Sequence, residues 1–360
     1  MTIYLEESHT QVERIRRKLG VVRLVDYLRE ASGADSHDYI LGDPISLSEV
    51  RTFEAEYEVT LPDEYVLFLT EVGNGGKFIK PGHWANGLGA GPGYGIYPFA
   101  LEQQREETED FKDLQQMATV GVLSDEEWRS TFAPLDEMDY SADPDTWDAL
   151  WEKIHYGTLP IAYGGCTDFY GLIINGPSCG VIVDSNGEHT FLDGPPSVVG
   201  SDFLSWYESW LDDILLSGVR NSWQRKNFIK SELANHLPLT DNMQAAASSA
   251  PLGQHVGEAK RQRLRSLWHW YQAERDDYLR EQMLGLLSEF DYERARAEIQ
   301  GVSDEFLIHI LATRAPQHIA DWDDRLREME AIGRQDLIDA AWFLRENADS
   351  LAASASATRS

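Results

Sequence analysis

The sequence predicts an α+β domain followed by an all-α helical region, on three observations. Apolar residues recur at helical spacing with strong end signals as far as residue 72. Between 158 and 193 the pattern changes to short segments rich in β-branched and aromatic residues. From 258 to 348 it is helical throughout.

Residues 9–32 read as an amphipathic helix carrying Val12, Ile15, Leu19, Val22, Val25 and Leu28. Ser46 begins a second helix. Glu49 three residues later completes a capping box, and Ile45 with Val50 supplies the hydrophobic staple. Leu61-Pro62 opens a third helix with proline in its first turn, and Tyr65, Phe68, Leu69 and Val72 form its apolar face. Gly73-Asn74-Gly75-Gly76 stops it. A glycine-rich stretch, 82–95, is expected as a surface loop with several positive-φ positions. Strands are expected at 159–163, 169–175, 180–184 and 189–192, with Asn186-Gly187 as a type I′ turn between the last two. A helix capped by Ser201 or Asp202 then runs through Phe203, Leu204, Tyr207 and Leu211. These readings give a first domain at 1–220 with an acidic insertion at 102–152. A helix and linker follow at 221–257, then a helical domain at 258–348 and a disordered tail at 349–360.

With 42% apolar residues and 39 aromatics in 360, the chain has ample material for a packed core. It has no run of eighteen apolar residues, its N-terminus lacks the order of a secretory signal, and it holds two cysteines. A cytoplasmic protein is expected. The formal charge is −30. Residues 1–220 hold 14 Lys and Arg against 39 Asp and Glu, a balance of −25; the insertion alone holds 3 against 16, a balance of −13. Such a field repels phosphate backbones and anionic lipid and speeds encounter with cationic proteins. A protein partner with a basic surface is therefore expected, and neither nucleic acid nor membrane.

The order of the pieces resembles the SUKH superfamily, the group containing bacterial immunity proteins and a yeast regulator of cell-wall glucan synthesis. The matching segments are ISLSEVRTFEAEYEVTLPDEYVLFLTEVGNGG at 45–76, GYGIYPFALEQ at 93–103, LPIAYGG at 159–165, YGLIING at 170–176, GVIVDSNGE at 180–188 and SDFLSWYESWL at 201–211. Leu61, Pro62, Tyr65, Phe68, Asn74, Gly75, Gly76, Gly164 and Gly165 stand at the signature positions. The resemblance covers roughly 40–218. This chain departs from it in the insertion, in Cys166-Thr-Asp168 after the glycine pair, and in the helical C-terminus. The resemblance implies a non-catalytic antidote that occludes a toxin, often a nuclease, for whose phosphate-holding cations a carboxylate surface competes. The alternative is a cytosolic scaffold or regulator of the same fold with another protein client.

Motifs for catalysis are weak. Gly176-Pro-Ser178-Cys-Gly180 matches G-x-S-x-G, but a strand follows where a nucleophile elbow needs a helix, so it reads as a hairpin turn; a hydrolase using Ser178 is the distant reading. The glycine run 87–95 fits neither a dinucleotide fingerprint nor a P-loop. Asp136-Glu137-x-Asp139 and Asp143-x-Asp145 lack the calcium-loop order, so no metal or cofactor is expected. Cys166, near Asp168 and upstream of His189, reads as a buried structural cysteine. Trp268, Trp270 and Tyr271, beside Lys260, Arg261, Arg263 and Arg265, read as a helical core face with a basic rim. Partner contacts are assigned to Glu106, Glu107, Glu109, Asp110, Asp136, Glu137, Asp139, Asp143 and Asp145 of the insertion, and to Trp84 and Tyr94 of the glycine-rich stretch, because binding sites concentrate in such segments.

Overall fold

The computed structural model describes residues 2–76, 87–100, 114–137, 143–166, 168–185, 194–218, 265, 267–269, 271–275 and 277–357. By contact the chain divides into two compact units: Met1–Arg16 with Gly33–Leu211, and Arg17–Ser32 with Asp212–Ser360. Residues 17–32, expected within the first domain, thus group with the C-terminal helices, and the expected linker within 221–257 lies outside the described residues.

In the first unit, α3 (Leu47–Tyr57) forms because its start is paired twice. Ser46 Oγ accepts from Glu49 N–H at 3.2 Å, and Glu49 Oε2 accepts from Ser46 N–H at 2.8 Å. The Ser46 hydroxyl also donates to Glu49 Oε2 at 2.7 Å, and this bond, with the one from Ser46 N–H, holds the Glu49 carboxyl below its ordinary pKa. Short helix α2 (Ala34–His37) precedes it, and α4 (Asp63–Leu67) follows and runs on into a π-turn, Phe68–Val72. Phe68 has no exposed surface and sits 4.8 Å from Phe203 and 4.6 Å from Tyr207 of α7 (Phe203–Asp213). Tyr65 lies 4.8 Å from Phe203, and Phe53 4.8 Å from Phe99. Burying each such ring is worth about 1.5–3 kcal/mol, so this aromatic chain is the main cement between the α3–α4 pair and α7.

The sheet is an antiparallel meander, β1-β2-β3-β4-β5, made of Gly95–Ile96, Thr158–Gly165, Asp168–Ile173, Ile182–Ser185 and Ser197–Gly200. Gly95 pairs with Tyr163, Thr158 with Ile173, Phe169 with Ser185 and Val183 with Val198. Pro160 sits inside strand β2, where the register shifts before Ala162; the irregularity accommodates a residue with no N–H to give. Two differences from the sequence reading concern strands. Gly95–Ile96 joins the sheet, though two residues carry no periodic signal. The last strand is Ser197–Gly200, whereas the expected 189–192 and its Asn186-Gly187 turn lie outside the described residues.

The glycine run is the larger correction. Expected as a surface loop, its described part is packed inside the unit: Leu88 is 4% exposed and Ala90 not at all. Its glycines serve close approach of backbones. A Cβ on Gly93, at φ +65°, would stand 2.3 Å from Tyr163 O, and one on Gly33 would stand 1.8 Å from Gly93 O. Asn74 Oδ1 meanwhile accepts from Phe99 N–H at 2.9 Å, which fixes the Asn-Gly-Gly stop against the strand entrance.

The described part of the insertion carries two helices, α5 (Asp125–Glu137) and α6 (Pro144–Ile154). Their apolar faces, with Trp128, Phe132, Leu135 and Ile154 buried, join Ile173 and Val183 of the sheet in one core. His155 closes α6, its ring 5.3 Å from Trp151 and 5.2 Å from Phe169. Burial pushes its pKa down from 6.5 to about 4. The folded state therefore resists a proton that the unfolded chain accepts, so its contribution is complete above pH 6.5 and is lost as pH falls towards 4. We expect stability to drop by up to about 3 kcal/mol through that window, and His155→Gln to flatten the drop, measured by denaturant midpoints at pH 7 and 4.5. Parallel pH curves for both proteins would contradict it.

In the second unit, α8 (Asp277–Phe290), α9 (Tyr292–Ile299), α10 (Asp304–His309) with its π-turn Ile310–Arg314, a 3-10 segment (Pro316–Trp322), α11 (Asp323–Ala331) and α12 (Gln335–Glu346) follow the expected helical pattern closely. Trp268 and Tyr271 are buried, as a core face requires. Trp268 Nε1 donates to Asp291 at 2.8 Å, and the Arg294 guanidinium lies 4.3 Å from the Trp268 ring. The tail expected to be disordered instead forms α13 (Ala348–Ala357), with Leu351 fully buried. Alanine has the highest helix propensity, and one apolar anchor suffices to dock the turn. The N-terminal helix α1 (Thr2–Val25) stops short of the expected residue 32. Asp26 explains the stop: its carboxylate accepts from Glu30 N–H at 2.7 Å and Ala31 N–H at 3.1 Å, and Arg29 takes φ 56°. Among the described residues no helix is long and apolar enough to cross a membrane.

Candidate functional site: an acidic face and a cavity

The described carboxylates of the insertion are arranged by the helices that carry them. Because α5 and α6 spend Trp128, Phe132, Leu150, Trp151 and Ile154 on the core, their other faces are left to Asp125, Glu126, Glu127, Asp145 and Asp148, all exposed. Acidic side chains in the first turn also suit the positive end of a helix. Ser124 and Glu127 form a second capping box, which holds Glu127 below its ordinary pKa. Asp143 Oδ1 accepts from Thr146 N–H at 3.3 Å, so this assigned contact residue also caps α6.

Of the other residues assigned to partner contact, Asp145 is exposed on α6, and Asp136 and Glu137 end α5. Glu106, Glu107, Glu109, Asp110, Asp139 and Trp84 lie outside the described residues. Tyr94 is half-buried, 5.8 Å from the Tyr163 ring and against Gly165, where a Cβ would meet its Cε2 at 2.6 Å. The fold signature comes together as one framework: Leu61, Tyr65 and Phe68 are buried, and Asn74 and Gly75 contact the chain at 96–99.

A feature outside the sequence reading is a cavity of about 560 Å³, lined among others by Glu58, Leu61, Asp63, Asn175, Gly176 and Cys179. Two segments make it. Glu58 ends α3 at φ 52°, and Glu54 Oε1 accepts from Leu61 N–H at 2.9 Å, tethering the turn before Pro62. Opposite lies the β3–β4 turn, where Gly180 N–H donates to Ile173 O at 2.8 Å. No Lys, Arg or His stands among the described lining residues. Carboxylates flanking Leu-Pro were legible in the sequence; that a distant turn would face them was not.

That β3–β4 turn carries Gly176-Pro-Ser178-Cys-Gly180 from strand to strand, so no elbow forms. Both cysteines are free thiols and exposed, which corrects the expectation of a buried Cys166. The reason is local: Cys166 occupies the turn between β2 and β3 at φ 50°, with its side chain outside the pleat. Its imagined partner His189 lies outside the described residues. Among the described residues no group of three or more His, Cys, Asp or Glu is placed to hold a metal ion.

A helix-covered antiparallel meander with a carboxylate-bearing helical insertion defines an acidic α+β domain. Residues 44–209, within the α+β unit, match the SMI1 / KNR4 family (SUKH-1). The helical C-terminal region is covered by no family, and no curated protein or solved structure matches the chain. The family match supports a protein of the immunity or cell-wall-regulator type.

Proposed function

We propose that the chain is an immunity protein that neutralises a cognate toxin by binding it through the acidic face of α5 and α6. The observation that carries this reading is the division of labour within the insertion: one face is consumed by the core, and the other presents Asp125, Glu126, Asp145 and Asp148 to solvent. Occlusion needs complementary charge and shape, and no reacting group. The family match over 44–209 supports the same reading, since SUKH domains generally bind protein toxins and are generally non-catalytic. A toxin that holds nucleic acid would present the cations these carboxylates meet.

Affinity capture from the native organism, followed by mass spectrometry, identifies the partner. Association of the purified pair should slow by at least about tenfold between 50 and 300 mM salt. Replacing Asp125, Glu126, Asp145 and Asp148 by lysine should slow it further while changing dissociation little. Association indifferent to both salt and charge reversal would refute docking through this face. Capture of a partner with no toxic activity would move the chain to the scaffold or regulator class.

A further inference from the structure

We propose that the cavity between the α3–α4 turn and the β3–β4 turn is a socket for a lysine or arginine side chain of a protein partner. The inference rests on the reading that the chain acts by binding protein, and it names a contact point whose lining includes no residue of α5 or α6. Three observations converge. The volume, about 560 Å³, is generous for one long side chain with its solvent, and small for a folded element. Glu58 and Asp63 stand in its wall with no basic side chain among the described lining residues, so the charge it presents is of one sign. Val59 and Pro62, both partly exposed, give an aliphatic stem something to lie on beside the polar Thr60 and Asn175, while Met117, 58% exposed, adjoins Gly176 at the rim. A cationic head on an apolar stem is the ligand this combination selects, and Arg adds a planar fork for two carboxylates.

The wall also holds its own reporter. The Cys179 thiol, which donates to Ile174 O at 3.5 Å, has its pKa raised by the partial desolvation of its sulfur, though the residue is exposed, and then by the Glu64 charge. Its reactivity therefore reads the local field. In the full chain with Cys166→Ser, the rate of Cys179 modification is compared for a trimethylammonium and a sulfonate methanethiosulfonate. The cationic reagent should be favoured by about tenfold over the ratio seen with 2-mercaptoethanol, because a potential of little more than 1 kT separates opposite charges by that much. Glu58→Gln with Asp63→Asn, both at exposed positions, should return the ratio towards that of the free thiol. Acetyl-Ala-Arg-Ala-amide at millimolar concentration should slow modification in the parent and not in the double variant, with acetyl-Ala-Ala-Ala-amide inert in both. A reagent ratio equal to the free thiol's, or equal protection by the two peptides, overturns the proposal. These rates are read without the partner, so the socket can fail while the salt dependence of association holds, and the reverse.

Discussion

Glu30→Ala should destabilise the C-terminal helical unit by about 3–5 kcal/mol, as expected when one member of a buried ion pair is removed. Arg314 is 1% exposed, and its guanidinium is hydrogen-bonded to the Glu30 carboxylate, with Glu289 Oε2 at 3.8 Å from Nη1. Glu30 is itself only 5% exposed, so neither charge has bulk water to fall back on. Removing the carboxylate leaves a cation in a low-dielectric interior among the helices of this unit. Hydrogen exchange of the full chain provides the measurement. Amides of 306–314 should lose protection by several hundredfold, the equivalent of more than 3 kcal/mol, while those of the sheet keep theirs. The double replacement Glu30→Leu with Arg314→Met should restore most of the protection, because desolvating the pair costs much of what the pair returns. Unchanged protection in Glu30→Ala would mean that water reaches the guanidinium.

Gly75→Ala should cost on the order of 3 kcal/mol in the α+β unit, and here the cause is steric. A Cβ at this position would lie 2.5 Å from Pro98 N, 2.6 Å from Ile96 O and 2.6 Å from Tyr97 C. All three are backbone atoms, held by the bond from Phe99 N–H to Asn74 Oδ1 and by the pairing of Ile96 with Gly89. They cannot step aside as a flexible side chain would. Gly20→Ala is the contrast. It lies within α1 with nothing within 4 Å of its Cβ position, and should stabilise the chain by about 0.5–1 kcal/mol through helix propensity alone. Thermal unfolding of the two variants should therefore shift in opposite directions. A Gly75→Ala protein as stable as the parent would show that the Asn-Gly-Gly stop is freer than its packing implies.

How much of this was legible beforehand depends on the range of the forces involved. Ser46 and Glu49, Leu61-Pro62 and the helical order of 277–346 were readable, because capping and amphipathic periodicity act over a few residues. The resemblance gave the order of the pieces, and the family match over 44–209 agrees with it. The glycine run misled because composition does not distinguish glycine used for freedom from glycine used for contact; Tyr163 O and Gly33, which decide it, are far away in sequence. Gly95–Ile96 was missed for a related reason, being a strand only by virtue of its partner at 162–163. At the site, the acidic face of α5 and α6 follows from their amphipathic pattern, whereas the cavity requires Glu58 and Cys179 to meet, and no local rule brings them together.

The placement of the insertion between β1 and β2 also sets an order of assembly. Strands β2 to β5 each pair with the strand next in sequence, whereas Gly95 must find Tyr163 across the whole acidic segment. Closing so long a loop is slow relative to a hairpin, so the edge strand should join a meander that has already zipped. The thermodynamic penalty grows weakly, by about 0.6 kcal/mol for each doubling of loop length. Lengthening, shortening or recharging this segment should therefore cost the sheet little, leaving the same five-stranded frame beneath a variable surface.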